Sequence, residues 1–466
     1  MNKKNESPPI YSGASPDQVA KDLKSLVDFQ NKGIPLDTLK KQIEAKLVPH
    51  LMNYNRSEFQ SLFNAFPEEG ARLGAQIALD YNQGVTNWQV SPGGAMLEEL
   101  CCQALCRLFG LALTSDATFM YCGTYANQQA LYMALHSQAE KEGFDLAYDG
   151  LKGFYDSGNL SVLVSSDAHF SLRYGVRTLG LGDQSLIPIP VDKNRRMKVS
   201  LLEKTIKNLK ETRKIFCVTA TAGTTSTGSV DPIKAIADVC AEHNIWLHVD
   251  GAYGLAFSLV PEWKPLYKGI ELADSVSWDP HKQMRVPIPS SLIFVKQGDN
   301  FKRMTIHGDY FNREKESTPS PGLKSPPTTR PLSALALVSS LKHMGMEKTI
   351  KMLKSPVQAI KQVFLKLENE KDFELGHKPD TGILCLRINP EGFPSKHLDE
   401  LQEFVYKHIL AEGQRTISIT RFENKTYLRL VAISPLVTES SMMETISIIR
   451  TTAQELWKKY WITPQK

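Results

Sequence analysis

The chain predicts an α/β fold with a largely parallel sheet covered by helices on both faces. From about Ser91 onward, apolar runs of strand length recur, turn residues bound each run, and helix-length amphipathic segments separate them. The strand candidates, in order, are 118–122, 161–165, 215–219, 245–249 and 290–295. Ahead of them, residues 1–70 read as a Pro- and Lys-rich tail followed by an arm of helices, with helix starts at Ser15-Pro16-Asp17 and Pro35-Leu36. A large domain over 71–345 and a small α+β domain over 346–466 complete the predicted organisation. The small domain reads as helix, strand 382–388, helix, strands 416–420 and 426–431, then helix. Between the two, 312–331 (NREKESTPSPGLKSPPTTRP) holds five prolines and almost no apolar residue, which excludes helix or central strand. It predicts a long mobile loop, read as an active-site lid or, more plainly, as a linker.

Composition narrows the function classes. With 466 residues, 42% hydrophobic and 23% charged, the chain can bury a substantial core. The net charge of +5 comes from 55 basic and 50 acidic residues mixed along the chain, which argues against a nucleic-acid partner. No uncharged apolar run is long enough to span a bilayer, and no apolar stretch follows the first lysines, so a soluble, cytoplasmic protein without a membrane partner is expected. Seven cysteines show neither CxxC pairs nor zinc-like spacing, so no metal is expected, and Cys101, Cys102 and Cys106 read as helix packing.

Chemistry concentrates in five segments in a fixed order: a Gly-Thr helix start, a histidine, Gly-Thr-Thr, Val-Asp-Gly-Ala and Asp-Pro-His-Lys. In CGTYANQQALYMAL, Gly123 and Thr124 open a helix whose free N–H groups and dipole suit a phosphate, although Gly-Thr also commonly caps helices. In SSDAHFSLRYGVRTLG, His169 follows a strand, where its ring can stack on a flat ligand or serve structure alone. In WLHVDGAYG, Asp250 ends a strand, the edge at which open α/β sheets bind ligands, with small Ala252 beside it. An isolated strand-end aspartate can equally cap the next turn. In SWDPHK, Lys282 offers an amine able to hold an aldehyde cofactor as a Schiff base, and a carboxylate such as Asp250 can keep a pyridine nitrogen protonated.

Taken in order, these motifs resemble the group II pyridoxal-phosphate-dependent amino-acid decarboxylases of the aspartate-aminotransferase-like fold, from about Arg56 to near the C-terminus. The resemblance implies a mostly parallel seven-stranded sheet, pyridoxal phosphate as cofactor, an amino-acid substrate and a homodimer with the site at its interface. It implies that Lys282 carries the cofactor, Asp250 partners the ring nitrogen, His169 stacks above the ring and Ala252 packs beneath it. Gly123, Thr124 and His281 would meet the phosphate, and Thr224 of the Gly-Thr-Thr turn would bond near the ring oxygen. Asp279 stands where relatives have asparagine or aspartate. Arg429 in TYLRLVAIS is implied as the α-carboxylate fork, against a reading as a plain strand residue. Thr86 and Trp88 match positions near the substrate pocket.

Two departures bear on activity. Arg56-Ser57 replaces the family's His-Pro, so pocket specificity does not transfer. Residues 312–331 lack the lid tyrosine that in the family returns a proton to the substrate carbon, and the resemblance pairs Tyr310 with a different, earlier tyrosine. The leading expectation is decarboxylation of an L-amino acid to its amine. The alternatives are decarboxylative oxidation to an aldehyde with ammonia and peroxide, carbon–carbon lyase action, or a degenerate homologue that binds the cofactor without turnover.

Overall fold

The computed structural model describes residues 9–10, 12–154, 159–308 and 318–462. Two compact units share the chain. One comprises Phe63–Ser355 and His377–Gly382, the other Met1–Leu62, Pro356–Gly376 and Ile383–Lys466.

In the first unit, seven strands among the described residues form one sheet. They are β1 (Asp116–Met120), β2 (Asn159–Ser165), β3 (Leu186–Ile189), β4 (Arg213–Thr221), β5 (Trp246–Asp250), β6 (Ser275–Trp278) and β7 (Ser291–Val295). Their order is β1-β7-β6-β5-β4-β2-β3, with β2 to β6 parallel and β7 antiparallel to both its neighbours. The predicted α/β class and mostly parallel sheet describe this unit. The sequence reading lacked β3 and β6. Pro188 disguises β3, and a sheet tolerates proline at an edge, where β3 lies. β6 is four residues long and reads Ser-Val-Ser-Trp, too polar for a buried strand by pattern alone.

The helix Gly123–Lys141 packs against β4 to β7 and is buried on most of its faces, which explains why its sequence shows little amphipathic patterning. Helix Pro92–Leu108 holds Cys101, Cys102 and Cys106 in its buried face, as expected. The helix predicted at 332–343 runs on as Ser333–Leu367, broken at Gly345, whose φ of 64° leaves helical geometry.

Tyr310 and residues 312–317 of the predicted loop lie outside the described residues. Its remainder is anchored, which corrects the picture of a loose segment. Lys324 Nζ lies 2.7 Å from both Glu99 Oε2 and Asp116 Oδ2. Burial works against its charge, yet the two carboxylates outweigh that and hold the ammonium well above the ordinary lysine value. Arg330, 4% exposed, pairs with buried Glu98 and donates to the Pro321 carbonyl at 2.7 Å. Proline content cannot reveal such anchors, because they depend on carboxylates far away in sequence.

In the second unit, β8 (Phe373–Leu375), β9 (Ile383–Ile388), β10 (Ser418–Phe422) and β11 (Lys425–Val431) form an antiparallel sheet in the order β10-β11-β9-β8. Helices Leu398–Glu412 and Glu439–Trp457 supply its apolar core with Leu401, Val405, Ile446 and Ile449. The arm helices are Pro16–Leu23, capped by the Ser15 hydroxyl, and Leu36–Lys46. No helix among the described residues is long and apolar enough to cross a membrane.

Candidate active site

The carboxyl ends of β4, β5 and β6 converge in register: Asp250 pairs with Thr221 on one side and Ser277 on the other. Asp250 is 4% exposed. Its Oδ1 accepts from the Ala252 N–H (3.1 Å) and the Ser277 hydroxyl (3.2 Å), and its Oδ2 accepts from Asn127 Nδ2 (2.9 Å). Burial pushes its carboxyl up, but His169, His248, Lys282 and the Ala252 N–H outweigh that and hold it below the usual carboxylate value. Asp250 is therefore an anion in a dry place.

Lys282 lies in the turn between β6 and β7, its N–H donating to the Asp279 carbonyl. Its Nζ is 2.9 Å from Asp279 Oδ2 and 5.6 Å from the centroid of the Phe63 ring. His281 Nε2 is 3.6 Å from that same carboxylate oxygen, and its Nδ1 accepts the Ser290 N–H. Burial lowers the pKa of His281. His169, at the foot of helix Ser171–Thr178, accepts the Ser171 N–H at Nδ1, so Nε2 carries the hydrogen of the neutral ring. Burial keeps this imidazole below its ordinary pKa despite the pull of Asp250.

Cys122 is extended (φ −158°, ψ 161°) and delivers the chain into the helix Gly123–Lys141, whose first N–H groups have no intrahelical partner. Thr224 is fully buried, its hydroxyl accepting the Ser229 N–H and lying 2.8 Å from Thr227 Oγ1. Thr86 donates its hydroxyl to the Thr328 carbonyl and accepts the Gly322 N–H, while Trp88 is 39% exposed. In the other unit Arg429 is buried rather than a surface strand residue, and its Nη1 donates to the Ser61 carbonyl (2.8 Å) and Ser418 Oγ (2.9 Å). Asn127, His248, Ser277 and Phe63 were missed by sequence reasoning. His248 carried a signal, since it precedes Asp250 by two residues and so shares its face of the strand.

Two observations test whether these residues fit an aromatic aldehyde phosphate. A Cβ on Gly123 would lie 2.8 Å from Asp279 Oδ2 and 3.2 Å from the Ala252 Cβ, so only glycine leaves room there. Asp279 Oδ1 is buried without a hydrogen-bond partner, an orphaned acceptor beside the lysine. With a helix N-terminus, an anionic aspartate, an imidazole and a lysine in one cluster, the donor set fits pyridoxal phosphate.

The fold and this cluster define a pyridoxal-phosphate enzyme of the α/β class. Residues 16–389 match the family model described as "Pyridoxal-dependent decarboxylase conserved domain", and the chain belongs to that family of amino-acid decarboxylases. It is 28% identical over 462 residues to L-2,4-diaminobutyrate decarboxylase of Acinetobacter baumannii, covering 96% of this chain and 89% of the relative. The aromatic-L-amino-acid decarboxylase of Bacillus atrophaeus is 27% identical over 390 residues, or 82% of this chain and 78% of that one. Among solved structures, the glutamate decarboxylase domain of a Vibrio parahaemolyticus diaminobutyrate-pyruvate transaminase and L-2,4-diaminobutyrate decarboxylase superposes with a TM-score of 0.86. It shares 25% identity and covers 97% of this chain and 92% of that one. The protein is accordingly a pyridoxal-phosphate-dependent carboxy-lyase.

Proposed function

We propose that the protein removes the α-carboxyl group of an L-amino acid as carbon dioxide and releases the amine, with Lys282 as the amine that would hold the cofactor. The observation that carries this reading is the cluster of Lys282, Asp250 and His169 at the carboxyl ends of parallel strands. When bound, pyridoxal phosphate supplies a protonated pyridine ring that accepts the electron pair freed as the carboxylate leaves. Asp250 would keep the proton on the ring nitrogen. Asp279 Oδ2, 2.9 Å from Lys282 Nζ, would hold the amine in place. His169 and Ala252 would enclose the ring, the N-terminus of helix Gly123–Lys141 with Thr124 and His281 would hold the phosphate, and Thr224 would bond near the ring oxygen. Arg429, Thr86 and Trp88 remain the candidates for substrate contact.

One relative matched over nearly the whole chain is named for L-2,4-diaminobutyrate, which puts diamino acids first in a panel that also holds aromatic and acidic ones. The protein acts as a homodimer. Leu73, Ile77 and Tyr81, four residues apart on helix Glu69–Tyr81 and 62%, 40% and 74% exposed, form an apolar stripe suited to a second copy. The test is visible absorbance and carbon dioxide release across the panel, with Lys282→Ala as control. The variant should lose turnover and the covalently held chromophore, and normal turnover in it refutes the assignment. A second reading, aldehyde formation with ammonia and peroxide, is favoured by the absence of tyrosine from residues 312–331. Peroxide equimolar with carbon dioxide would select it.

A further inference from the structure

Asn127 bridges two residues that β5 presents on one face. Its Nδ2 lies 2.9 Å from Asp250 Oδ2 and its Oδ1 lies 3.0 Å from His248 Nε2. Beyond the histidine, Nδ1 is 3.0 Å from Ser275 Oγ of β6, and the same oxygen accepts the Trp246 indole N–H at 2.9 Å. Asn127, His248 and Ser275 are at most 1% exposed, so water supplies none of these hydrogens.

The two ends of the series fix everything between them. An ionised carboxylate only accepts and an indole only donates. Because Asp250 accepts, the Asn127 amide turns both hydrogens away from His248, toward Asp250 and toward Ser171 Oγ at 2.8 Å. Its oxygen then faces His248 Nε2, which must carry the hydrogen. Burial depresses the His248 pKa to about 4, so the ring is neutral and its Nδ1 is bare. Nδ1 therefore accepts from the Ser275 hydroxyl, whose oxygen in turn accepts from Trp246. Each bond donates toward Asp250, and such series polarise cooperatively.

We propose that Asn127, His248 and Ser275 are positioning residues that orient Asp250 and leave one acceptor site, on Oδ2, for the pyridine nitrogen of the cofactor. The count of lone pairs supports this. Oδ1 already serves two donors, Ala252 N–H and Ser277 Oγ, while Oδ2 serves only Asn127 among the described residues. A carboxylate so held cannot rotate without breaking three hydrogen bonds. The inference rests on the reading that Asp250 partners the ring nitrogen.

The test compares how tightly the cofactor-free protein binds pyridoxal phosphate and its 1-deaza analogue, in which carbon replaces the ring nitrogen. Fluorescence quenching gives both affinities without turnover. The wild type should prefer the true cofactor by at least tenfold, the worth of a hydrogen bond to a charged group. His248→Phe, which cannot donate to Asn127, should cut that preference at least threefold. His248→Gln, whose amide can donate to Asn127 Oδ1 and accept from Ser275, should restore it. If His248→Phe fails to fold, Ser275→Ala takes its place with the same expected loss. A wild-type preference that His248→Phe or Ser275→Ala leaves intact overturns the positioning role and spares the Asp250 assignment. A wild type with no preference, or an Asp250→Asn variant that keeps it, overturns the Asp250 assignment and the inference with it.

Discussion

Gly123 and His377 each carry a consequence that a single substitution can read. At Gly123 a methyl group would meet Asp279 Oδ2 at 2.8 Å, the oxygen that faces Lys282 Nζ. Gly123→Ala should weaken pyridoxal phosphate binding by roughly tenfold or more, the scale of one lost charged contact. Gly93→Ala, whose Cβ meets nothing within 4 Å, should leave it unchanged, and an absorbance titration reads both. His377 donates to the Thr227 carbonyl at 2.7 Å, and burial lowers its pKa from 6.5 to about 4. Its folded-state pKa lies below the unfolded one, so its stabilisation is fully present above pH 6.5 and is lost as pH falls through about 4. Between those limits the stability difference between the wild type and His377→Gln should shift by about 3 kcal/mol against the wild type, as denaturant midpoints at each pH would show.

Elements carry the next level of the argument, beginning with the helix Pro92–Leu108 and its consecutive Glu98 and Glu99. Glu98 accepts from Thr118 Oγ1 (3.0 Å) and the Phe119 N–H (3.2 Å) and pairs with Arg330, so one carboxylate joins this helix, β1 and the segment 318–331. Glu98→Ala leaves a buried guanidinium uncompensated and should cost about 3–5 kcal/mol, whereas Glu98→Leu combined with Arg330→Met should cost clearly less. Thermal unfolding separates the two outcomes. These pairs also show where the sequence stops being legible. The strands at the domain's centre, Asp250 at the end of β5 and Lys282 in its turn could be read from apolar runs and motif order, because local pattern determines them. β6 could not, because its buried Ser275 and Ser277 hydrogen-bond His248 and Asp250 and give the strand the polarity of a loop. Asn127 was hidden in the same way, as one polar residue on a helix buried on most sides, and the anchors of the 318–331 segment depend on contacts more than 200 residues apart.

At the scale of the molecule, the exposed stripe on helix Glu69–Tyr81 makes assembly a quantity to measure. Leu73→Glu together with Ile77→Glu should turn the proposed dimer into monomers in sedimentation velocity at micromolar protein, since two charges would face apolar surface of the partner. The wild type sedimenting as a monomer across that range would remove the homodimer from the proposal.

The large unit is also closed by a late-arriving piece of chain. His377 reaches Thr227, Thr381 Oγ1 donates to the Gly228 carbonyl at 2.8 Å, Asp380 pairs with Arg196 and accepts the Val230 N–H, and Tyr253 OH accepts the Gly382 N–H at 3.2 Å. The turn bearing Thr224 is thus latched by four residues of the segment His377–Gly382, which leaves the ribosome long after the seven-stranded sheet. A nascent chain halted anywhere before residue 377 presents that turn with its latch missing.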